Sequence, residues 1–144
     1  MTMTQSYLEA VCREGQGVNP LFAFLKARLT RVGDGEAEIS MPTGLYLCQG
    51  GGMVAGGILA TLADEAMAHA VMSLLAPGRS TVTAEMNIRY LRGADPGAGG
   101  ELRALAKVIK EGHSLCFAEA GVLDGNERLL ATAGATFFIK TARP

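Results

Sequence analysis

The chain has 144 residues, 49% of them hydrophobic and 19% charged, with thirteen Lys/Arg against fourteen Asp/Glu, which suits one compact domain spanning 1–144 rather than two. A net charge of -1 with its basic residues scattered leaves no electrostatic footprint for nucleic acid or for an acidic membrane surface. Cys12, Cys48 and Cys116 are odd in number, lack a CxxC spacing and lie in apolar stretches, so neither a disulfide framework nor a zinc site is expected, and reduced thiols of a cytoplasmic protein fit better.

The N-terminus carries Glu9 and Glu14 and has no apolar core of signal-peptide length. Leu8, Val11 and Cys12 at helical spacing predict a short helix over 4–14, ending near Gly15 and Gly17, and Asn19-Pro20 reads as a break. Two strands are expected between Leu25 and Met41: Leu25, Ala27 and Leu29 alternate with Lys26, Arg28 and Thr30, then Ala37, Ile39 and Met41 with Glu36, Glu38 and Ser40. Gly33-Asp34-Gly35 between them is a hairpin turn.

Residues 42–52 form a loop leading to a long helix over about 53–75, which stops at Pro77-Gly78. That run is apolar enough to suggest a membrane span, but Thr61, Asp64, Glu65, His69 and Ser73 interrupt it. Two adjacent carboxylates at mid-membrane are too costly, so a buried helix is expected. Four strands follow, over 79–91, 101–110, 114–123 and 129–140. In the first, Val82, Ala84, Met86, Ile88 and Tyr90 face an apolar core and Thr81, Thr83, Glu85, Asn87 and Arg89 face away. Their separators are a Pro/Gly-rich loop from Gly93 to Gly100 and turns at Glu111-Gly112 and Asp124-Gly125. A helix apolar on nearly every side must be enclosed, and with one short helix elsewhere the enclosure has to be sheet. The class is α+β, a curved antiparallel sheet wrapped around one helix.

Around the helix start stand Gly50-Gly51-Gly52, then Gly56-Gly57, then Asp64 about two turns on. First-turn N–H groups have no intrahelical acceptors, so glycines there let a ligand reach donors that polarise a carbonyl. The same glycines also serve close helix–sheet packing, and spacing alone does not separate the two readings. Asp64 inside an apolar stretch costs free energy and so calls for a function. Glu65 and His69, one turn apart, read as an ordinary pair on a solvated stripe. Asp64 and His69 have the Asp-x4-His spacing of a hydratase pair, yet five helical steps set them about 140° apart. No GxSxG, P-loop or dinucleotide motif is present, His69 and His113 lack metal-ligand company, and Met53, Met67 and Met72 read as core filling.

The run from Gln49 through Gly52, Gly56-Gly57 and Asp64 resembles the signature of the phenylacetate-pathway (PaaI-type) hotdog thioesterases, and the similarity extends over about residues 20–140, including TAEMNIRYLRGA at 83–94. The resemblance implies the hotdog fold and acyl-CoA hydrolysis to free acid and CoA, with Asp64 as nucleophile or general base, the Gly56 N–H on the thioester carbonyl, and Gln49 as an orienting amide. It implies a hydroxyl beside the acid as well, for which Thr83 stands at the matching strand position, on the partner subunit, while the helix position is Ala68. Gly57, Ala55, Asn87 and Arg92 fall to substrate binding, with Arg89, Lys107 and Lys110 as further cations for CoA phosphates. Ala55 replaces the family's usual histidine, which removes a hydrogen-bonding group near the thioester.

The expected protein is therefore a cytoplasmic homodimer or dimer of dimers (a homotetramer), with sites at the subunit interface, needing no metal or cofactor beyond the CoA of its substrate and binding neither nucleic acid nor membrane. The acyl group is aryl, arylacetyl or medium-chain. The rival readings are a non-catalytic acyl-CoA-binding or regulatory hotdog protein and an enoyl-CoA hydratase.

Overall fold

A computed structural model of the chain describes residues 3–97 and 100–141, so the tip of the expected Gly93–Gly100 loop lies outside the described residues. The predicted N-terminal helix is present as α1 (Met3–Glu14), followed by a 3-10 turn at Gly15–Val18. Asn19-Pro20 then starts a second short helix, α2 (Pro20–Leu25), where a break and a strand were expected. The Asn19 side chain accepts from the Phe22 N–H at 3.1 Å and Pro20 fills a first-turn position that needs no N–H donor. Leu25 thus belongs to a helix, and the first strand, β1 (Arg28–Gly33), begins three residues later.

The hairpin into β2 (Glu36–Pro42) turns through Asp34 and Gly35, both at positive φ. Gly35 cannot easily carry a side chain, because a Cβ there would stand 3.1 Å from Leu74, and its N–H donates to Ser73 Oγ at 2.8 Å. The central helix, α3 (Gly56–Met72), is shorter at both ends than expected. Residues 48–54 are held in a tight loop instead, by the Gln49 N–H on the Met53 carbonyl at 2.9 Å and a Cys48–Val54 bridge. At the far end the N–H groups of Leu74 and Leu75 fall back three residues, onto the carbonyls of Val71 and Met72.

The four later strands are close to expectation: β3 (Arg79–Tyr90), β4 (Glu101–Glu111), β5 (Leu115–Asp124) and β6 (Leu129–Thr141). They join β1 and β2 in one antiparallel sheet of order β1-β2-β4-β5-β6-β3, whose inner face wraps α3. The register explains the tight wrap. Ala37, Ala106, Ala120 and Ala133 stand opposite one another across four strands, and Ala63, Ala66 and Ala70 of α3 are equally buried. Small side chains on both surfaces let helix and sheet approach closely, while Phe137, Ile39, Met41, Leu102 and Leu130 fill the space beyond.

β3 departs from its predicted alternation. In register with β6, Thr83 stands opposite buried Phe137 and Met86 opposite buried Ala135, with Ala84 bulged out between Thr83 and Glu85. The extra residue reverses the parity of the first half of the strand. Thr81 and Thr83 therefore share the inner face with Met86, Ile88 and Tyr90, and Val82 points outward beside Phe138. Among the described residues no helix is long and apolar enough to cross a membrane. Cys12 is exposed rather than enclosed, Cys48 is half-buried and Cys116 is buried.

Candidate active site

The bulge in β3 has a direct chemical result. Thr83, turned inward by the extra residue, donates its hydroxyl to Asp64 Oδ1 at 2.8 Å. The contact is made within one chain. Asp64 itself is half-buried, and Thr83 is the side chain that bonds its carboxylate among the described residues. A carboxylate held by one hydroxyl, with its remaining lone pairs open, can accept a proton from water or attack an electrophilic carbon.

The N-terminus of α3 forms a second polar centre. Ala55 occupies the N-cap and offers no side-chain bond, and Gly56 and Gly57 follow at the first two helical positions. Their N–H groups point out of the helix end, where the dipole is positive and favours a developing negative charge. A cleft of about 380 Å³ opens beside them, lined by Gln49, Met53, Gly56, Leu59, Tyr90 and Arg92 among others. Gln49 is exposed, and its side-chain oxygen accepts from the Gly51 N–H, which fixes the amide at the mouth. Tyr90 is a component that alternation alone assigns to the core. It is 50% exposed, and its hydroxyl donates to the Gly56 carbonyl at 2.8 Å.

The structure thus gathers Gln49, Ala55, Gly56, Gly57 and Arg92 at one end of α3, and Asp64 with Thr83 at mid-helix. Eight residues at 1.5 Å rise put about 12 Å between Gly56 and Asp64 along the axis, too far for one chain's two centres to act on one carbonyl. Asn87 joins neither centre: it lies opposite Gly134, on the outer face of the sheet. Arg89 shares that face, and Lys107 is paired there with Glu119 at 3.2 Å.

His69 is placed quite differently from the expected solvated stripe. It is 1% exposed, with the rings of Phe22 and Tyr7 packed against it at a tilt. Its Nδ1 lies 2.6 Å from the Glu65 backbone carbonyl, which can only accept, so Nδ1 carries the proton and Nε2 accepts from the Tyr7 hydroxyl at 2.9 Å. Asn19 in turn donates to the Tyr7 oxygen at 2.8 Å while capping α2. Burial lowers the His69 pKa, with the bond to Glu65 opposing, and burial followed by the charge of Asp64 raises the Glu65 carboxyl to about 7. Both shifts favour neutral groups, so the 3.9 Å approach of Glu65 to His69 is not a strong ion pair. Asp64 and His69 face opposite ways, as the helical spacing predicts. Among the described residues no three His, Cys, Asp or Glu side chains are placed to share a metal ion.

Comparison with known proteins gives the same architecture. The thioesterase superfamily matches residues 51–131, from the glycine-rich loop into β6. A thioesterase family protein from Silicibacter pomeroyi is 30% identical, with a TM-score of 0.84 over 94% of this chain and 99% of that one. A phenylacetic acid degradation-related protein from Ralstonia eutropha is 27% identical, with a TM-score of 0.81 over 92% and 98%. The PaaI protein from the E. coli phenylacetic acid degradation operon shares the fold at 20% identity, with a TM-score of 0.80 over 95% of each chain.

Proposed function

The chain belongs to the thioesterase superfamily and has its hotdog architecture, and on that premise we propose that it hydrolyses acyl-CoA thioesters to free acid and CoA as a cytoplasmic homodimer. The observation that carries the reading is the half-buried Asp64 carboxylate held by Thr83, on the same helix as an uncapped glycine N-terminus. Asp64 takes a proton from water or attacks the carbonyl itself, the Gly56 N–H stabilises the oxyanion, and Gln49 orients the thioester. The carbon–sulfur bond breaks, the thiolate leaves with a proton as CoA, and the acid keeps the oxygen from water. Arg92 at the mouth of the cleft faces the CoA phosphates.

The 12 Å gap argues for two chains per site. β3 is an edge strand of the sheet, and edge strands invite pairing. With the bulged Ala84 left out of the pairing, a two-fold axis at Asn87 sets Tyr90, which covers Gly56, opposite Thr83 of the second copy, which holds Asp64. Each site then combines the glycines of one chain with the acid of the other. Pairing of such dimers into a tetramer is compatible with this arrangement.

Free-thiol release from benzoyl-CoA, phenylacetyl-CoA and hexanoyl-CoA tests the proposal, with Asp64→Asn beside the wild type. Turnover in the wild type that is lost in the variant supports it; no turnover on any of them, or undiminished turnover in the variant, sinks it. Crotonyl-CoA losing its enoyl absorbance without releasing thiol points to a hydratase instead. Mixing refolded Asp64→Asn and Gly56→Val chains tests the shared site: a random mixture recovers about a quarter of wild-type activity if two chains build each site. A site within one chain recovers nothing.

A further inference from the structure

The first turn of α3 is built from weak helical material. Gly56 and Gly57 open it, the N-cap Ala55 supplies no side-chain bond, and glycine is the poorest helix former after proline. Tyr90, reaching over from the end of β3, compensates. Its hydroxyl donates to the Gly56 carbonyl at 2.8 Å, and its ring lies so close that a Cβ at position 56 would stand 3.0 Å from Cζ and 3.1 Å from the hydroxyl oxygen. That carbonyl belongs to the same peptide unit as the Gly57 N–H, and a hydrogen bond accepted at a peptide oxygen strengthens the N–H at its other end as a donor. Tyr90, Gly56 and Gln49 also line one cleft.

We infer that Tyr90 is a positioning residue for the thioester carbonyl: its hydroxyl fixes the Gly56–Gly57 peptide so that the Gly57 N–H faces the substrate beside that of Gly56, and it polarises the Gly57 donor. The inference rests on the thioesterase reading above. It assigns the hydrogen-bonding work that Ala55 leaves undone to a residue 35 positions along the chain.

Tyr90→Phe keeps the ring over Gly56 and removes only the hydroxyl. On whichever of the three acyl-CoAs the wild type turns over fastest, kcat falls about five- to tenfold, the equivalent of one neutral hydrogen bond, and KM stays within about twofold. The decisive readout is the infrared carbonyl stretch of that substrate, labelled with carbon-13 at the thioester carbonyl and bound to Asp64→Asn. The bound carbonyl moves to lower frequency than in water, and adding Tyr90→Phe reverses part of that shift. A merely structural role changes the amplitude of the band and leaves its frequency alone. An unchanged frequency, or an unchanged kcat in an active enzyme, overturns the role of Tyr90 while leaving the thioesterase reading in place. If the wild type releases no thiol from any acyl-CoA, both fall together.

Discussion

Asp64 and His69 sit five residues apart on one apolar helix, and the fold treats them in opposite ways. The imidazole of His69 is sealed beneath α1 and α2, and both ring nitrogens are satisfied within the chain, one by the Glu65 carbonyl and one by Tyr7. Asp64 lies under the edge strand of the sheet, half-buried, with the Thr83 hydroxyl on one oxygen. A buried polar group whose bonds all close inside the chain stabilises the structure. One left partly open beside an edge that can take a second copy is positioned to react. The more deeply buried group is therefore the structural one.

The sharpest break of this contrast is at Asp64: Asp64→Asn lowers thiol release by about a hundredfold or more and leaves the denaturation midpoint close to wild type, read from thiol release and circular dichroism on the same samples. Thr83→Val removes the donor at nearly constant shape and lowers kcat about tenfold, while Thr83→Ser retains most of it. On the other face the signs exchange. Tyr7→Phe leaves His69 Nε2 buried without its donor and costs about 1–3 kcal/mol of stability in urea denaturation, with kcat per folded chain unchanged.

The smallest effect is a pH slope set by Glu65, which faces Asp64, His69 and Tyr7. Its carboxyl is raised from 4.5 to about 7, so in that window the folded chain keeps a proton that the unfolded chain has released. Stability contributed by Glu65 is full below about pH 4.5 and declines as pH rises toward 7. His69, shifted down by burial, acts in the opposite sense, losing its contribution as pH falls through 6.5. Denaturation midpoints of Glu65→Gln and wild type, measured from pH 4 to 8, therefore diverge with rising pH up to about 7; parallel curves would remove Glu65 from the account.

Much of the fold was legible because its signals are local. The long helix, the hairpin at Gly33-Asp34-Gly35 and the four later strands follow from periodicity and turn chemistry. Asn19-Pro20 misled because the same pair that interrupts a chain also caps a helix, and only the bond from Phe22 to Asn19 distinguishes them. The reading of His69 as solvated failed for a similar reason: nothing near it in the chain announces Tyr7, 62 positions away.

By itself the sequence determined the α+β class, an acid set inside an apolar helix and a glycine-rich helix start, since each is written in neighbouring residues. The family resemblance already set Thr83 beside the acid, and the tertiary structure decided how the groups meet. The bulge at Ala84 inverts the first half of β3 and carries Thr83 onto Asp64, and the end of the same strand lays Tyr90 over Gly56. Strand parity is a sum over residues, so one unpaired residue changes the face of those on one side of it relative to the other. Whether that residue is extruded is settled by the register with β6, not by β3's own pattern.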